Sequence, residues 1–137
     1  LNKLLHRIKE AFNSEKIFYY ACKEEIELKG RPSALKRLFE NIVHNGLTYG
    51  SRVDIYVQKG NNRALVTVDD NGPGIPEDQY KNVFKPFFRL DKSRSLNQSG
   101  VGLGLAIVED IINSHGGNIQ FSKSKYNGLQ VRISLPF

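Results

Sequence analysis

The stretch Arg63-Ala-Leu-Val-Thr-Val-Asp-Asp-Asn-Gly-Pro-Gly-Ile75 changes character half-way along its length. Its first half is rich in β-branched apolar residues and predicts a strand from Arg63 to Asp69. Its second half is a turn, in which Gly72 and Gly74 leave room for a flat ligand and the proline between them stiffens the chain. Asp70 therefore lies where a strand runs into a loop, and its carboxylate can accept a hydrogen bond from the exocyclic amine of a base. Capping an ordinary turn is the alternative role for this carboxylate.

A segment with two asparagines precedes this strand. Apolar residues between Pro32 and Tyr49 recur at helical spacing, which predicts a helix over those residues. Asn41 and Asn45 lie one turn apart and share a face of that helix. An amide oxygen is a ligand that Mg²⁺ accepts while it keeps waters and phosphate oxygens, although two solvated polar residues are the ordinary interpretation of an isolated Asn pair. Gly46 lies on the apolar face, where it allows close approach of a strand or a ligand.

A third block, Gly100-Val-Gly-Leu-Gly-Leu105, leads into an apolar segment. A helix is predicted from Gly102 to His115, with glycine in the stop position after it. The free N–H groups and the positive dipole at the start of such a helix favour phosphate. The spacing differs from the Gly-x-x-x-x-Gly-Lys-Ser/Thr phosphate loop, and the segment comes too late for a dinucleotide fold. In this order the three blocks supply a metal ligand, a base-reading carboxylate and a phosphate-facing backbone, so they predict a nucleotide site.

With a fourth block, Val83-Phe-Lys-Pro-Phe-Phe-Arg89, the chain resembles the ATP-binding catalytic domain of sensor histidine kinases. That family belongs to a larger group with type II topoisomerase, Hsp90 and mismatch-repair ATPases. The resemblance implies ATP and Mg²⁺ as cofactors, with Asn41 and Asn45 as the catalytic pair and Asn45 as the metal ligand. It also implies that Tyr49 stacks on the base and that Asp70 bonds to the adenine amino group. The cofactor-binding positions that it implies are Asn41, Asn45, Tyr49, Asp70, Gly72, Gly74, Ile75, Phe84, Arg89, Gly100, Gly102, Leu103, Gly104 and Leu105.

One position separates a kinase from an ATPase. In the hydrolysing relatives of this family, a glutamate that activates water occupies the position of Asn41. An amide cannot take a proton at neutral pH, so we expect poor hydrolysis and transfer of the γ-phosphoryl group to a histidine instead. Thr48 departs from the family pattern, because these kinases often carry Lys or Arg there to hold phosphate. An ATPase of the same fold, or a nucleotide-responsive binding module without transfer activity, are the alternatives.

The acceptor histidine is expected on another part of a longer protein. His6 is followed by Arg7-Ile-Lys-Glu10, which does not match the acidic residue and turn that follow a phosphoacceptor in this family. Residues 1–15 are interpreted as the end of a dimerisation helix with a linker, and residues 16–137 as the catalytic domain. The partners implied are a helical hairpin that bears the acceptor and, indirectly, a response regulator. We expect the isolated chain to be a monomer and its parent a homodimer.

Composition limits the remaining function classes. The 137 residues are 39% hydrophobic, enough for one core, and the single cysteine, Cys22, excludes an internal disulfide and suits a reducing compartment. No apolar run reaches the length of a membrane span. The resemblance to sensor histidine kinases implies a cytoplasmic domain whose parent is an inner-membrane sensor. The net charge of +6 suggests nucleic-acid binding as a rival function. Five cations against one acid lie between Lys81 and Gly100, where they can face ATP phosphates, so no nucleic-acid partner is expected.

The fold class predicted is a two-layer α/β sandwich, a mixed sheet covered on one face by helices, with a mobile lid over the nucleotide. A short turn is expected near residues 76–82. The predicted strands are Lys16 to Ala21, Glu25 to Lys29, Val53 to Gln58, Arg63 to Asp69, Asn118 to Lys123 and Leu129 to Leu135.

Overall fold

The computed structural model describes residues 1–12, 15–20, 23–24, 26–28, 30–84 and 104–137. Two short 3-10 turns, Glu77–Gln79 and Asn82–Phe84, lie between the third strand and the last helix of these residues. The helices and strands are α1 (Asn2–Phe12), β1 (Ile17–Tyr20), α2 (Pro32–Tyr49), β2 (Val53–Lys59), β3 (Arg63–Asp70), α3 (Gly104–Ser114), β4 (Asn118–Lys123) and β5 (Leu129–Pro136).

The strands form one sheet in the order β1-β2-β3-β5-β4. β1 runs parallel to β2, and the other neighbouring strands are antiparallel, so the predicted mixed sheet is confirmed. Side chains alternate along β2: Val53, Ile55 and Val57 are buried in the core, while Asp54 and Tyr56 lie on the opposite face. α2 packs against β2, β3, α1 and α3. This two-layer α/β sandwich is the predicted fold class.

The bounds of α2 agree with the prediction from its apolar spacing. Pro32 occupies the first turn, where its missing N–H costs no helical hydrogen bond. The helix ends at Tyr49, and the N–H of the next residue, Gly50, donates to the carbonyl oxygen of Gly46 at 2.9 Å. Its buried apolar stripe consists of Leu35, Leu38, Phe39, Ile42 and Val43.

The end of α3 is closed by glycine and by an imidazole. Gly116 adopts the left-handed conformation, with φ of 71°, and the N–H of Gly117 donates to the carbonyl oxygen of Ile112 at 2.9 Å. With its proton on Nδ1, His115 donates to the carbonyl oxygen of Ile111 at 2.7 Å, while Nε2 accepts the N–H of Arg31 at 3.2 Å. The predicted glycine stop is confirmed, and the ring also joins α3 to the start of α2.

The predicted strand from Glu25 to Lys29 is wrong, because its described residues, 26–28, are not in a strand. Ile26 is buried in the core, and its carbonyl oxygen accepts a hydrogen bond from the amino group of Leu1 at 2.9 Å. The apolar residue thus packs in the core instead of pairing with a strand, so tertiary packing overrides local β propensity.

The helix α1 packs onto the same core. Leu5 and Ile8 are completely or almost completely buried there. The helix expected within residues 1–15 is present as Asn2–Phe12, and its assignment to a dimerisation segment stays a prediction. Among the described helices, none combines the length and apolar character that crossing a membrane requires.

Candidate functional site

A glycine brings α2 against the end of β3. A Cβ added to Gly46 would lie 2.7 Å from Cγ2 of Val53 and 3.6 Å from Cβ of Asp70. No side chain fits at the first of these distances, so α2 rests directly on the strands. The helix that carries Asn45 therefore lies against the strand end that carries Asp70, as the position of Gly46 predicted.

The two asparagines are half-buried on α2. The amide nitrogen of Asn41 donates to the carbonyl oxygen of Arg37 at 2.9 Å, which fixes the side chain and leaves its amide oxygen to accept other donors. Thr48 is exposed, and its hydroxyl donates to the carbonyl oxygen of His44 at 2.7 Å. Tyr49 is the last residue of α2, and its side chain lies outside the described part of the structure.

Asp70 is the buried carboxylate of the site, with 8% of its surface exposed. Its Oδ1 accepts the N–H groups of Gly72 at 3.0 Å and Leu129 at 3.1 Å. Oδ2 has no hydrogen-bond partner among the described residues, so it is the oxygen available to a ligand. Burial raises the pKa of Asp70, the two N–H groups oppose this, and the charge of Asp69 adds to it. Asp69 accepts Nε2 of Gln130 at 2.9 Å instead, so the two carboxylates point to opposite faces as predicted.

An asparagine holds the turn that follows Asp70. Oδ1 of Asn71 accepts the N–H groups of Ser51 at 2.7 Å and Arg52 at 2.9 Å, which ties this turn to the start of β2. Gly74 has φ of 76°, a conformation that favours glycine, and a Cβ there would lie 3.3 Å from the carbonyl oxygen of Gly128. Sequence reasoning gave Asn71 no role, because an Asn before Gly signals a turn without naming its distant partner.

The loop between β4 and β5, residues 124–128, holds the main chain of Asp70 by a hydrogen bond. The hydroxyl of Ser124 donates to the carbonyl oxygen of Asp70 at 2.7 Å and accepts the N–H groups of Tyr126 at 3.2 Å and Gly128 at 2.9 Å. A Cβ on Gly128 would collide with the same carbonyl oxygen. The Asn127-Gly128 pair signals a hairpin turn, but its contact with a strand end more than fifty residues earlier could not be read from the sequence.

Some of the other predicted site residues lie in the described part of the structure, and the rest lie outside it. Phe84 stacks on Phe121 of β4, with ring centroids 4.9 Å apart, while Ile75 is half-buried in the turn after β3. Gly104 and Leu105 begin α3, which packs on α2 and so lies beside the asparagine helix. The predicted site residues that fall outside the described residues are Arg89, Gly100, Gly102 and Leu103.

Comparison with known proteins identifies the family to which this chain belongs. Residues 30–137 match the family model described as histidine kinase-, DNA gyrase B-, and HSP90-like ATPase. The chain belongs to this family. It is 35% identical over 136 residues to the sensor histidine kinase GtrS of Pseudomonas aeruginosa, covering 99% of this chain and 28% of that protein. It is 39% identical over 110 residues to the sensor histidine kinase CpxA of Escherichia coli, covering 80% of this chain and 24% of that protein.

Solved structures show the same relationship. The histidine kinase domain of the E. coli osmosensor EnvZ has a TM-score of 0.76 and 35% identity, with 99% of this chain and 85% of that one covered. The catalytic domain of histidine kinase ThkA has a TM-score of 0.85 and 25% identity, with coverage of 99% and 91%. This chain is therefore an ATP-binding catalytic domain of the kind found in histidine kinases. It spans about a quarter of the length of the curated relatives, 28% and 24%.

The donors of this histidine kinase domain fit a particular kind of metal. Within the described ranges, no group of three His, Cys, Asp or Glu side chains could hold an ion. Asn45 offers one neutral oxygen, which is too little to hold a cation by itself. The site therefore fits a hard cation that arrives with most of its ligands, as Mg²⁺ does with nucleotide phosphates and waters.

Proposed function

We propose that this domain transfers the γ-phosphoryl group of ATP to a histidine on a separate helical hairpin of a longer protein. The observation that carries the proposal is the amide of Asn41, one turn before Asn45 on the helix packed against Asp70. A carboxylate at this position could take a proton from an attacking water, whereas an amide cannot. Water lacks a base there, while an imidazole brings its own lone pair to the phosphorus.

Asp70 gives this site its preference for adenine. Oδ1 is occupied by two backbone N–H groups, so Oδ2 accepts the exocyclic amine of the base. Guanine presents a carbonyl oxygen at that ring position, and two acceptors facing each other repel. The turn of Gly72, Gly74 and Ile75 leaves room for the ring, and Tyr49 stacks on it.

The phosphates lie toward α2 and the start of α3. Asn45 would hold Mg²⁺ through its amide oxygen, and Asn41 would orient the phosphates. The N-terminus of α3 at Gly104 favours their negative charge. The bound Mg²⁺ would supply neutralisation of charge on the β- and γ-phosphates. The remaining contacts are assigned to Phe84, Arg89, Gly100, Gly102, Leu103 and Leu105.

The relatives are named as sensor kinases, which supports a signalling role for the longer protein. We infer a homodimeric parent at the inner membrane, with this domain on the cytoplasmic side. Its phosphorylated histidine would serve a response regulator. The domain alone is expected to be a monomer.

Asn45→Ala tests the metal assignment. Titrations with a non-hydrolysable ATP analogue, with and without Mg²⁺, should show that Mg²⁺ strengthens binding to the native chain but not to the variant. Asn113→Ala, at an exposed position near the end of α3, is the matched control and should keep the full Mg²⁺ effect. An equal Mg²⁺ effect in the native chain and Asn45→Ala would refute the assignment.

A further inference from the structure

Both the main chain and the carboxylate of Asp70 are held by the loop of residues 124–128 and the residue after it. The hydroxyl of Ser124, a residue with 5% of its surface exposed, donates to the Asp70 carbonyl oxygen at 2.7 Å. The N–H of Leu129 donates to Oδ1 of the same residue at 3.1 Å. Because the Ser124 hydroxyl also accepts the N–H groups of Tyr126 and Gly128, one side chain connects the loop backbone to the strand end.

The loop is anchored a second time, on the sheet face away from the helices. Oδ2 of Asp54, which is completely buried, accepts the hydroxyl of Tyr126 at 2.6 Å and Nζ of Lys125 at 3.1 Å. Oδ1 accepts Nε of Arg52 at 2.9 Å. Burial alone would raise the pKa of Asp54, but the hydrogen bonds from Tyr126, Arg52 and Lys125 outweigh it and lower the pKa below 3.8. Two neighbouring loop residues are thus bound to an ionised carboxylate of β2.

We propose that Ser124 is a positioning residue that sets the base selectivity of the nucleotide site through Asp70, in a loop that Tyr126 fixes to Asp54. The proposal rests on the proposed role of Asp70 in reading adenine. Oδ1 is held by the N–H of Leu129, the residue that follows the loop, so the direction of Oδ2 toward the base depends on where the loop lies. Loss of the Ser124 hydroxyl releases the Asp70 carbonyl oxygen and two loop N–H groups together, so Leu129 and the Asp70 side chain that it holds are positioned less firmly.

A purely structural role of these hydrogen bonds makes a different prediction. If they only hold the β4–β5 hairpin together, loosening them weakens the binding of every nucleotide to the same degree. If they aim Oδ2, the loss falls on ATP, because GTP gains nothing from that oxygen. The ratio of the two affinities therefore separates the two roles.

The test is Ser124→Ala in the whole 137-residue chain, with Mg²⁺-ATP measured by calorimetry and Mg²⁺-GTP by competition. Ser122→Ala is the matched control, because Ser122 is exposed and its hydroxyl contacts Gln130. We expect Ser124→Ala to lower the ATP-to-GTP affinity ratio by roughly three- to tenfold, the effect of one neutral hydrogen bond, and Ser122→Ala to leave it unchanged. In an Asp70→Asn background, Ser124→Ala should no longer change the ratio.

Equal losses of ATP and GTP affinity, or a change of ratio that persists in the Asp70→Asn background, would overturn the proposal. If Ser124→Ala does not fold, Tyr126→Phe decides, since it removes one hydroxyl; an unchanged ratio there would also overturn it. The single variant Asp70→Asn separates a failure of the positioning role of Ser124 from a failure of base reading by Asp70. A lower ratio in Asp70→Asn with no effect of Ser124→Ala refutes only the positioning role, whereas no effect of Asp70→Asn refutes the base reading as well.

Discussion

Asp70→Asn changes one atom of the site in a defined way. The amide oxygen of the new side chain can still accept the N–H groups of Gly72 and Leu129, which lie 3.0 and 3.1 Å from Oδ1. At the position of Oδ2 the variant places an NH₂ group, which donates where the native oxygen accepts. The fold should persist while the bond to the adenine amine is lost.

The size of the effect follows from the bond that is removed. A hydrogen bond to a charged group contributes about 1.5 to 3 kcal/mol, so ATP affinity should fall roughly ten- to a hundredfold. GTP should bind poorly to the native chain and lose no affinity in the variant, because the NH₂ group can donate to its ring carbonyl oxygen. Isothermal titration calorimetry with both nucleotides measures this change.

Asp69→Asn is the matched control, because it removes the same charge from the neighbouring residue. Its carboxylate bonds Gln130 on the other face of the sheet. An equal loss of ATP affinity in Asp69→Asn would show a general charge effect and refute the reasoning. So would an Asp70→Asn variant that binds ATP within twofold of the native chain.

The Asp70→Asn variant also tests the free-energy cost of burying the Asp70 carboxylate in the folded state. Burial raises the pKa of Asp70 above its ordinary 3.8, so the folded state binds more protons than the unfolded state just above that pH. Protonation of Asp70 stabilises the folded state fully at pH values below the pKa of this group in the unfolded chain. This stabilisation is lost as the pH rises through the pKa of Asp70 in the folded chain. Thermal unfolding should therefore give Asp70→Asn a higher Tm than the native chain at pH 7, with a difference that narrows toward pH 4.

Two further substitutions test the packing around the site. Gly128→Ala places a methyl group against the carbonyl oxygen of Asp70 and 2.7 Å from Oδ1, so denaturant unfolding should show about 1 to 3 kcal/mol less stability and calorimetry weaker ATP binding. Native-like stability and affinity would contradict the close approach of this loop. Leu5→Ala empties a completely buried position of α1 and should cost about 2 to 5 kcal/mol while the ATP-to-GTP ratio stays unchanged. His6→Ala, exposed on the same helix, should change stability by about 0.5 kcal/mol at most.

Local patterns predicted most of the secondary structure. α2 and β4 have the predicted bounds, and β2, β3 and β5 each extend one residue further than predicted. These segments carry a strong period of 3.6 or 2 and are bounded by glycine, proline or asparagine. Asp70 could be selected because it lies at such a boundary, and the asparagine pair because its two members lie one turn apart on a predicted helix.

The contacts between distant segments could not be predicted from local pattern. Ile26 lies in a segment with the composition of a strand, yet it packs in the core, and nothing in residues 25–29 indicates the amino group of Leu1 as the donor to its carbonyl oxygen. Asp54 alternates with the buried residues Val53 and Ile55 as a solvent-facing residue would, but the loop of residues 124–128 folds over it. The sequence separation of 72 residues between Asp54 and Tyr126 explains why a period of 2 gave no sign of a buried carboxylate.

Phosphoryl transfer compared with hydrolysis tests the central claim most directly. The purified chain would be incubated with Mg²⁺ and ATP labelled at the γ-phosphate, with and without a helical hairpin that carries a phosphoacceptor histidine. Both the labelled hairpin and the released phosphate would be measured. We expect an acid-labile label on the hairpin histidine and very slow phosphate release without the hairpin, because Asn41 offers no base to water. Phosphate release near the typical enzyme value of about 10 per second, with no label on the hairpin, would contradict it and favour an ATPase.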